Sequence, residues 1–161
     1  MSVNKSLPHV LVLPEDDANR QIAVGFHLEV VPTRQRRMQV LEEARGWRSV
    51  LDRFISDQIT GMERYPNRFI ILLLDFDNDY ANRFAQAKGA IPDHLAERVF
   101  ILGALSEPED LRPQFGNFET IGRALAEDCR EGTESTWGCD DLSHNAREIN
   151  RLRDGVRSIL F

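Results

Sequence analysis

Six consecutive apolar residues, Phe69 to Leu74 in "RFIILLLDFDND", constrain this chain more tightly than any other stretch. Successive side chains of a strand point to opposite faces, so a strand with one wet face alternates apolar and polar residues. A strand apolar at every position is covered on both faces, as a central strand of a parallel sheet is when helices lie on either side. The six residues also fall far short of the roughly 20 that span a bilayer.

Two further runs repeat the signature. "HVLVL" at 9 to 13 ends at Pro14 and predicts the first strand; "RVFILGAL" at 98 to 105 predicts the fourth, with 69 to 74 as the third. Between them the period changes. Ile22, Ala23 and Phe26 mark a helix over 18 to 26, and "HLEVV" at 27 to 31 alternates as a second strand stopped by Pro32. Leu41, Ala44, Trp47, Leu51, Phe54 and Ile59 recur at helical spacing, which predicts one long amphipathic helix over 37 to 62 with Gly46 as a weak point. A short helix follows over 79 to 88, closed by Gly89, and Ser106 and Glu109 have capping-box spacing around Pro108. Asn117 is placed to cap a helix carrying Ile121, Leu125 and Cys129. A polar loop pinned by Trp137 leads to a closing helix marked by Leu142, Ala146, Ile149 and Val156. Strands alternating with helices predict a single domain over residues 1–161, a three-layer α/β/α fold with a mostly parallel central sheet.

With 161 residues the chain can bury about 70% of its unfolded surface, enough for a core without crosslinks. Residues Met1 to Pro8 lack the long apolar segment of a secretory signal, so a cytoplasmic location is expected, with Cys129 and Cys139 as reduced thiols. The close paired spacing of a zinc finger or ribbon is missing around them. A net charge of −6 opposes simple electrostatic binding to nucleic acid. The basic residues are unusual in kind: Lys5 and Lys88 are the only lysines and the other eighteen are arginines, the side chain that forks onto phosphate and carboxylate.

Ligands of open α/β sheets bind outside the carboxyl ends of the strands. There the first strand carries Glu15, Asp16 and Asp17, and the third carries Asp75 and Asp77. The strand period sends Asp75 and Asp77 to one side and returns Phe76 to the core. Two like charges about 4 Å apart repel by about 4 kcal/mol at an effective dielectric near 20, so such a cluster takes up a proton or a cation. Magnesium, which is held by one or two carboxylates together with water and substrate phosphate, suits the motif better than calcium does, and Mn²⁺ is the alternative. Asp17 and Asp79 read as helix caps, "EPED" at 107 to 110 as a capped helix start, and His144 as a surface residue.

An acidic residue just after the first strand, Glu15, and an Asp-x-Asp after a later apolar strand, "LLLDFD", resemble the Toprim family over about residues 8 to 105. The resemblance implies a Toprim/Rossmann-like fold and a metal-dependent phosphodiesterase, a nuclease acting on nucleic acid. Asp75 and Asp77 would hold Mg²⁺, and Glu15 would act as general acid or base. Relatives of the overcoming-lysogenization type work with an ATPase, so a separately encoded ATPase partner is implied too. The chain departs from the pattern at Asp16, where many Toprim domains carry glycine.

"VLVLPEDDANR" also looks like a response-regulator receiver, with Asp16 and Asp17 as the acidic pair and Asp75 as phosphate acceptor. Receivers place a lysine after their fifth strand, and no lysine follows Lys88 here. The alternative to an enzyme is therefore a non-catalytic, receiver-like interaction or regulatory module. The dinucleotide glycine fingerprint and the phosphate-loop motif are both absent from the sequence.

Overall fold

The computed structural model describes residues 2–161, so Met1 of the expected domain lies outside the described residues. Four strands form the central sheet: β1 (His9–Pro14), β2 (Met38–Val40), β3 (Arg68–Leu73) and β4 (Val99–Leu102). Their order is β2-β1-β3-β4, and every neighbouring pair runs parallel. The helices are α1 (Asp17–Leu28), α2 (Trp47–Arg53), α3 (Ile59–Arg64), α4 (Tyr80–Ala90), α5 (Arg112–Phe115), α6 (Phe118–Glu131) and α7 (Ala146–Leu160).

The uniformly apolar strands are explained by two cores, one on each face of the sheet. Val10 and Val12 of β1, Ile71 and Leu73 of β3, and Phe100 and Leu102 of β4 face α1, α6 and α7. Their alternate neighbours Leu11, Leu13, Ile70, Leu72, Val99 and Ile101 face the layer of α2, α3 and α4. This is the three-layer α/β/α arrangement. Helices α1 and α6 cross closely because both carry glycine at the contact: a Cβ on Gly122 would lie 1.9 Å from the Ile22 carbonyl oxygen, and one on Gly25 would lie 2.1 Å from that of Glu119. The edge strand β4 is closed off by α7 and the turn before it. Glu148 accepts from Ile101 N at 2.9 Å, Asn145 accepts from Gly103 N at 3.2 Å, and Arg151 donates to Val99 O at 3.4 Å. Side chains thus take up main-chain groups that an edge otherwise offers to another chain.

Several expected elements are corrected. Residues 27–31 are not a strand: α1 continues through His27 and Leu28, and a 3₁₀ turn follows over Pro32–Arg37. Five residues of alternating polarity fit the last turn of a helix as well as a strand. The second strand is Met38–Val40, which lies where the long helix was expected to begin. That helix is divided. Arg45 and Gly46 have φ of 67° and 132°, a left-handed break that glycine tolerates, and α2 starts only after it. A π-helical segment over Phe54–Gln58 then separates α2 from α3. Gly89 does not close α4, which runs to Ala90 and stops before Pro92. Ser106 forms no capping box; its Oγ donates to Asp141 Oδ1 at 2.9 Å, and Glu107 precedes the 3₁₀ turn Pro108–Leu111. Asn117 caps α6 as its spacing predicts, accepting from Thr120 N. Trp137 pins the polar loop, its indole donating to Leu125 O at 3.2 Å. Asp128 anchors the same loop by accepting from Thr133, Ser135, Thr136 and Trp137.

Candidate functional site

In this strand order the chain leaves β1 for β2 on one side and then crosses to β3 on the other, so the switch point lies between β1 and β3. Pro14 is paired with Leu73 at the carboxyl end of that pair, which places Glu15 beside the residues that follow β3. The ladder extends one step further, with Glu15 N donating to Leu73 O at 2.9 Å. From there Glu15 Oε2 accepts a 2.7 Å hydrogen bond from Asp75 N, joining residues 60 positions apart. The Glu15 carbonyl in turn accepts from Arg45 N and Gly46 N at the break before α2.

Asp16, rather than Asp17, caps α1, accepting from Asn19 N at 2.9 Å. Asn19 is buried, and its side-chain amide is shared between two carboxylates, donating to Asp16 Oδ1 at 3.0 Å and to Asp75 Oδ1 at 2.8 Å. Asp17 turns outward to Arg20 and Gln21. Asp79 occupies the cap position of α4 without capping it and accepts from Asn82 instead.

Past Leu74 the chain leaves the sheet but stays fastened to the segment after β4: Phe76 N, Asp77 N and Asn78 N donate to the carbonyls of Ala104, Ser106 and Leu105. Phe76 is fully buried, as the strand period predicts. Beyond it the alternation ends, because Asp77 and Asn78 adopt left-handed backbone with φ of 49° and 56°. Asp75 is therefore half-buried against Asn19, whereas the Asp77 side chain is 74% exposed and meets Arg83 Nη2 at 3.4 Å. Arg83 links the two, since its Nη1 donates to Asp75 O at 2.7 Å. Its guanidinium also lies 4.9 Å from the centre of the Trp47 ring.

The crowding changes the acids. Burial first, then the charges of Asp16 and Glu15 and a hydrogen bond shared with Asp16, push Asp75 from 3.8 up to about 8 against the opposing bond from Asn19. Burial also raises Glu15, aided by Asp16 and Asp77 and opposed by the Asp75 amide and Arg83. Glu107 is raised chiefly by Glu109 and feels Asp77 and Asp16, so it belongs electrostatically to the same edge. His144 is half-buried rather than freely exposed. Its Nε2 donates to Gly103 O at 2.8 Å, and its ring packs edge-on against Phe76 and Tyr80, behind the acidic turn.

Glu15 and Asp75 are thus brought together, and Asp77 joins them through Arg83. Among the described residues no three His, Cys, Asp or Glu side chains are gathered to hold a metal ion by themselves. The donor set accordingly does not suit zinc or calcium, which take most ligands from protein. Of the expected ligands, Asp75 lies half-buried against Asn19 and Asp77 turns out to solvent, so any magnesium or manganese held here would take most of its shell from water and substrate. Reading the sequence missed Asn19 and Arg83. The Asp16-x-x-Asn19 spacing signals the cap, but nothing local signals a bond across 56 positions to Asp75. Among protein-family models, curated proteins and solved structures, none matches this chain. No helix among the described residues is long and apolar enough to cross a membrane.

Proposed function

We propose that this chain is a metal-dependent phosphodiesterase of Toprim type, a nuclease acting on nucleic acid. The observation that carries the reading is the hydrogen bond from Asp75 N to Glu15 Oε2, which brings acids from two strand ends side by side at the switch point. Asp75 and Asp77 would hold Mg²⁺ or Mn²⁺, and the bound ion supplies a Lewis acid and a water of lowered pKa. Glu15 is fixed through Oε2, which leaves Oε1 to take or give the proton. Its raised pKa brings that exchange closer to neutrality. Asn19 sets the orientation of the Asp75 carboxylate. The preponderance of arginine among the basic residues fits a phosphate-bearing substrate. A cytoplasmic setting and a separately encoded ATPase partner belong to the same reading. The receiver-like reading is disfavoured because Asp17, half of its acidic pair, is spent on Arg20 at the surface.

The test measures cleavage of single-stranded and duplex DNA and RNA with Mg²⁺, Mn²⁺ or EDTA, alongside thermal melting. Saturating metal should raise the melting temperature by about 5 to 10 °C, taking about 2.7 kcal/mol at a hundredfold excess over Kd and 2 to 4 °C per kcal/mol. Asp75→Asn should lose both the rise and the cleavage. Glu15→Gln should keep the rise and cut about 10² to 10⁴ times more slowly. A wild-type chain that neither melts higher with metal nor cuts any of the four substrates would be the non-catalytic module instead.

A further inference from the structure

We propose that the amino ends of the strands, opposite the acidic switch point, carry a binding site for a phosphate group, built on Arg68 with Lys5, Arg64 and Arg98 around Tyr65. The inference goes beyond the phosphodiesterase reading and does not depend on it. His9 and Arg68 open β1 and β3 and lie side by side in the register of the two strands. Both are buried, His9 completely and Arg68 with 7% of its surface exposed. The guanidinium is held from one side: Nε donates to His9 Nε2 at 2.9 Å, and His9 Nδ1 in turn donates to Leu7 O at 2.8 Å, which fixes the imidazole as a neutral tautomer. Nη1 lies against α3, where a Cβ on Gly61 would come within 2.6 Å of it. These contacts fix the arginine without neutralising it. Its Nη1 and Nη2 have no acceptor among the described residues, and neither is sealed from solvent.

What surrounds Arg68 is positive. Its guanidinium lies 4.9 Å from the centre of the Tyr65 ring, and Lys5 Nζ and the Arg64 guanidinium each lie 5.5 Å from the same ring. Arg98 stands behind them, donating to the carbonyls of Met62, Tyr65 and Arg68. None of the four cations forms an ion pair among the described residues. Glu63, the acid beside Arg64 in the chain, meets His94 at 3.6 Å instead. Burial holds the Arg68 guanidinium below the ordinary arginine value, and the only opposing influence is the Tyr65 phenol rather than a carboxylate. His9 is lowered chiefly by burial, and the charges acting on it, those of Arg68 and Lys5, are both positive. A buried charge is paired as a rule, so a guanidinium desolvated among cations points to an anion that completes it. Phosphate fits that place: it brings up to two negative charges and at least three acceptor oxygens, and arginine meets it with a fork. Cations over the Tyr65 ring take the place of a stacked nucleobase, so the site reads the oxyanion and not a base. The phosphate is either free or the terminal group of a nucleic-acid strand.

The experiment titrates the full chain by calorimetry, in EDTA and at constant ionic strength, with inorganic phosphate and with single-stranded tetranucleotides that bear a 5′-phosphate or a 5′-hydroxyl. The wild-type chain should bind phosphate saturably at one site. Lys5→Gln and Arg64→Gln, both at exposed side chains, should each weaken binding about two- to fivefold, and Arg68→Gln by at least about tenfold. Arg147→Gln removes the same charge from an exposed position on α7 and should leave binding unchanged, which separates a site from the general field of the protein. A tetranucleotide bound more tightly with the 5′-phosphate than with the 5′-hydroxyl would identify the strand end as the source. Inorganic phosphate bound while the two tetranucleotides bind alike would identify free phosphate. If Arg68→Gln fails to fold, the two surface variants decide the matter alone. Wild type that binds neither form of phosphate saturably would overturn the proposal. So would a Lys5→Gln, Arg64→Gln double variant that melts and binds as wild type does, or an equal loss in Arg147→Gln.

Discussion

At the scale of single residues, Asp75 carries the most consequence. Its carboxyl is held near 8 in the folded chain, mainly by burial, against 3.8 as the ordinary value. A folded-state pKa above the unfolded one means that unfolding releases a proton between the two values, so stability falls as pH rises through that window. The metal-free protein should be most stable, as far as Asp75 is concerned, below about pH 4, lose stability from there to about pH 8, and change no further above it. The slope is below about 1.4 kcal/mol per pH unit, the limit for one group. Melting in EDTA across this range should show the decline in wild type and its absence in Asp75→Asn. A flat wild-type profile would show that the carboxylates are not crowded. The same residue shows what local sequence can carry. The placement of Glu15 and Asp75 at neighbouring strand ends was legible because strand ends are local, whereas the expected one-sided projection of Asp75 and Asp77 is not met. Asp77's left-handed turn and the Asn19 and Arg83 contacts were not legible, because they depend on which segments the tertiary fold lays side by side.

At the scale of elements, local periodicity succeeded where burial was uniform or one face was strongly apolar. β1, β3 and β4, the capped α6 and the closing α7 all lie where the sequence places them to within a few residues. It failed over 27–62, where a helix end mimicked a strand and helical spacing continued across β2 and the Gly46 break. The three residues of β2 are too few to establish a period of their own. Glycines allow a direct test of the packing between elements. Alanine is favoured over glycine inside a helix by about 1 kcal/mol, and a Cβ at Gly89 of α4 meets nothing within 4 Å. Gly89→Ala should therefore stabilise by up to that amount. At Gly122 the same substitution drives a Cβ to 1.9 Å from main-chain oxygen of α1, which cannot yield without separating the helices. Overpacking of this kind costs about 1 to 3 kcal/mol and outweighs the propensity gain. Urea titration of the two variants should move in opposite directions. A stabilised Gly122→Ala would show that α1 and α6 do not pack at this distance.

At the scale of the whole molecule, a net charge of −6 sets the terms on which any polyanion approaches. A domain that held nucleic acid by a broad basic face would release many counterions, and its affinity would fall steeply with salt, at a slope of about −0.7 per phosphate on single strands. Several arginines are tied to acids or carbonyls, Arg123 to Glu29 and Glu119, Arg151 to Glu148, and Arg98 and Arg153 to carbonyls, whereas others such as Arg48, Arg64 and Arg147 have no hydrogen-bonding or ion-pair partner among the described residues. At the switch point the only basic side chain among these acids is Arg83, held by the Asp75 carbonyl and meeting Asp77. Binding should then depend on Mg²⁺ more than on ionic strength. A plot of log affinity against log salt for a single-stranded probe, in Mg²⁺, should have a slope between about −1 and −2. A steeper slope would place the contact surface on the arginine-rich faces away from the switch point.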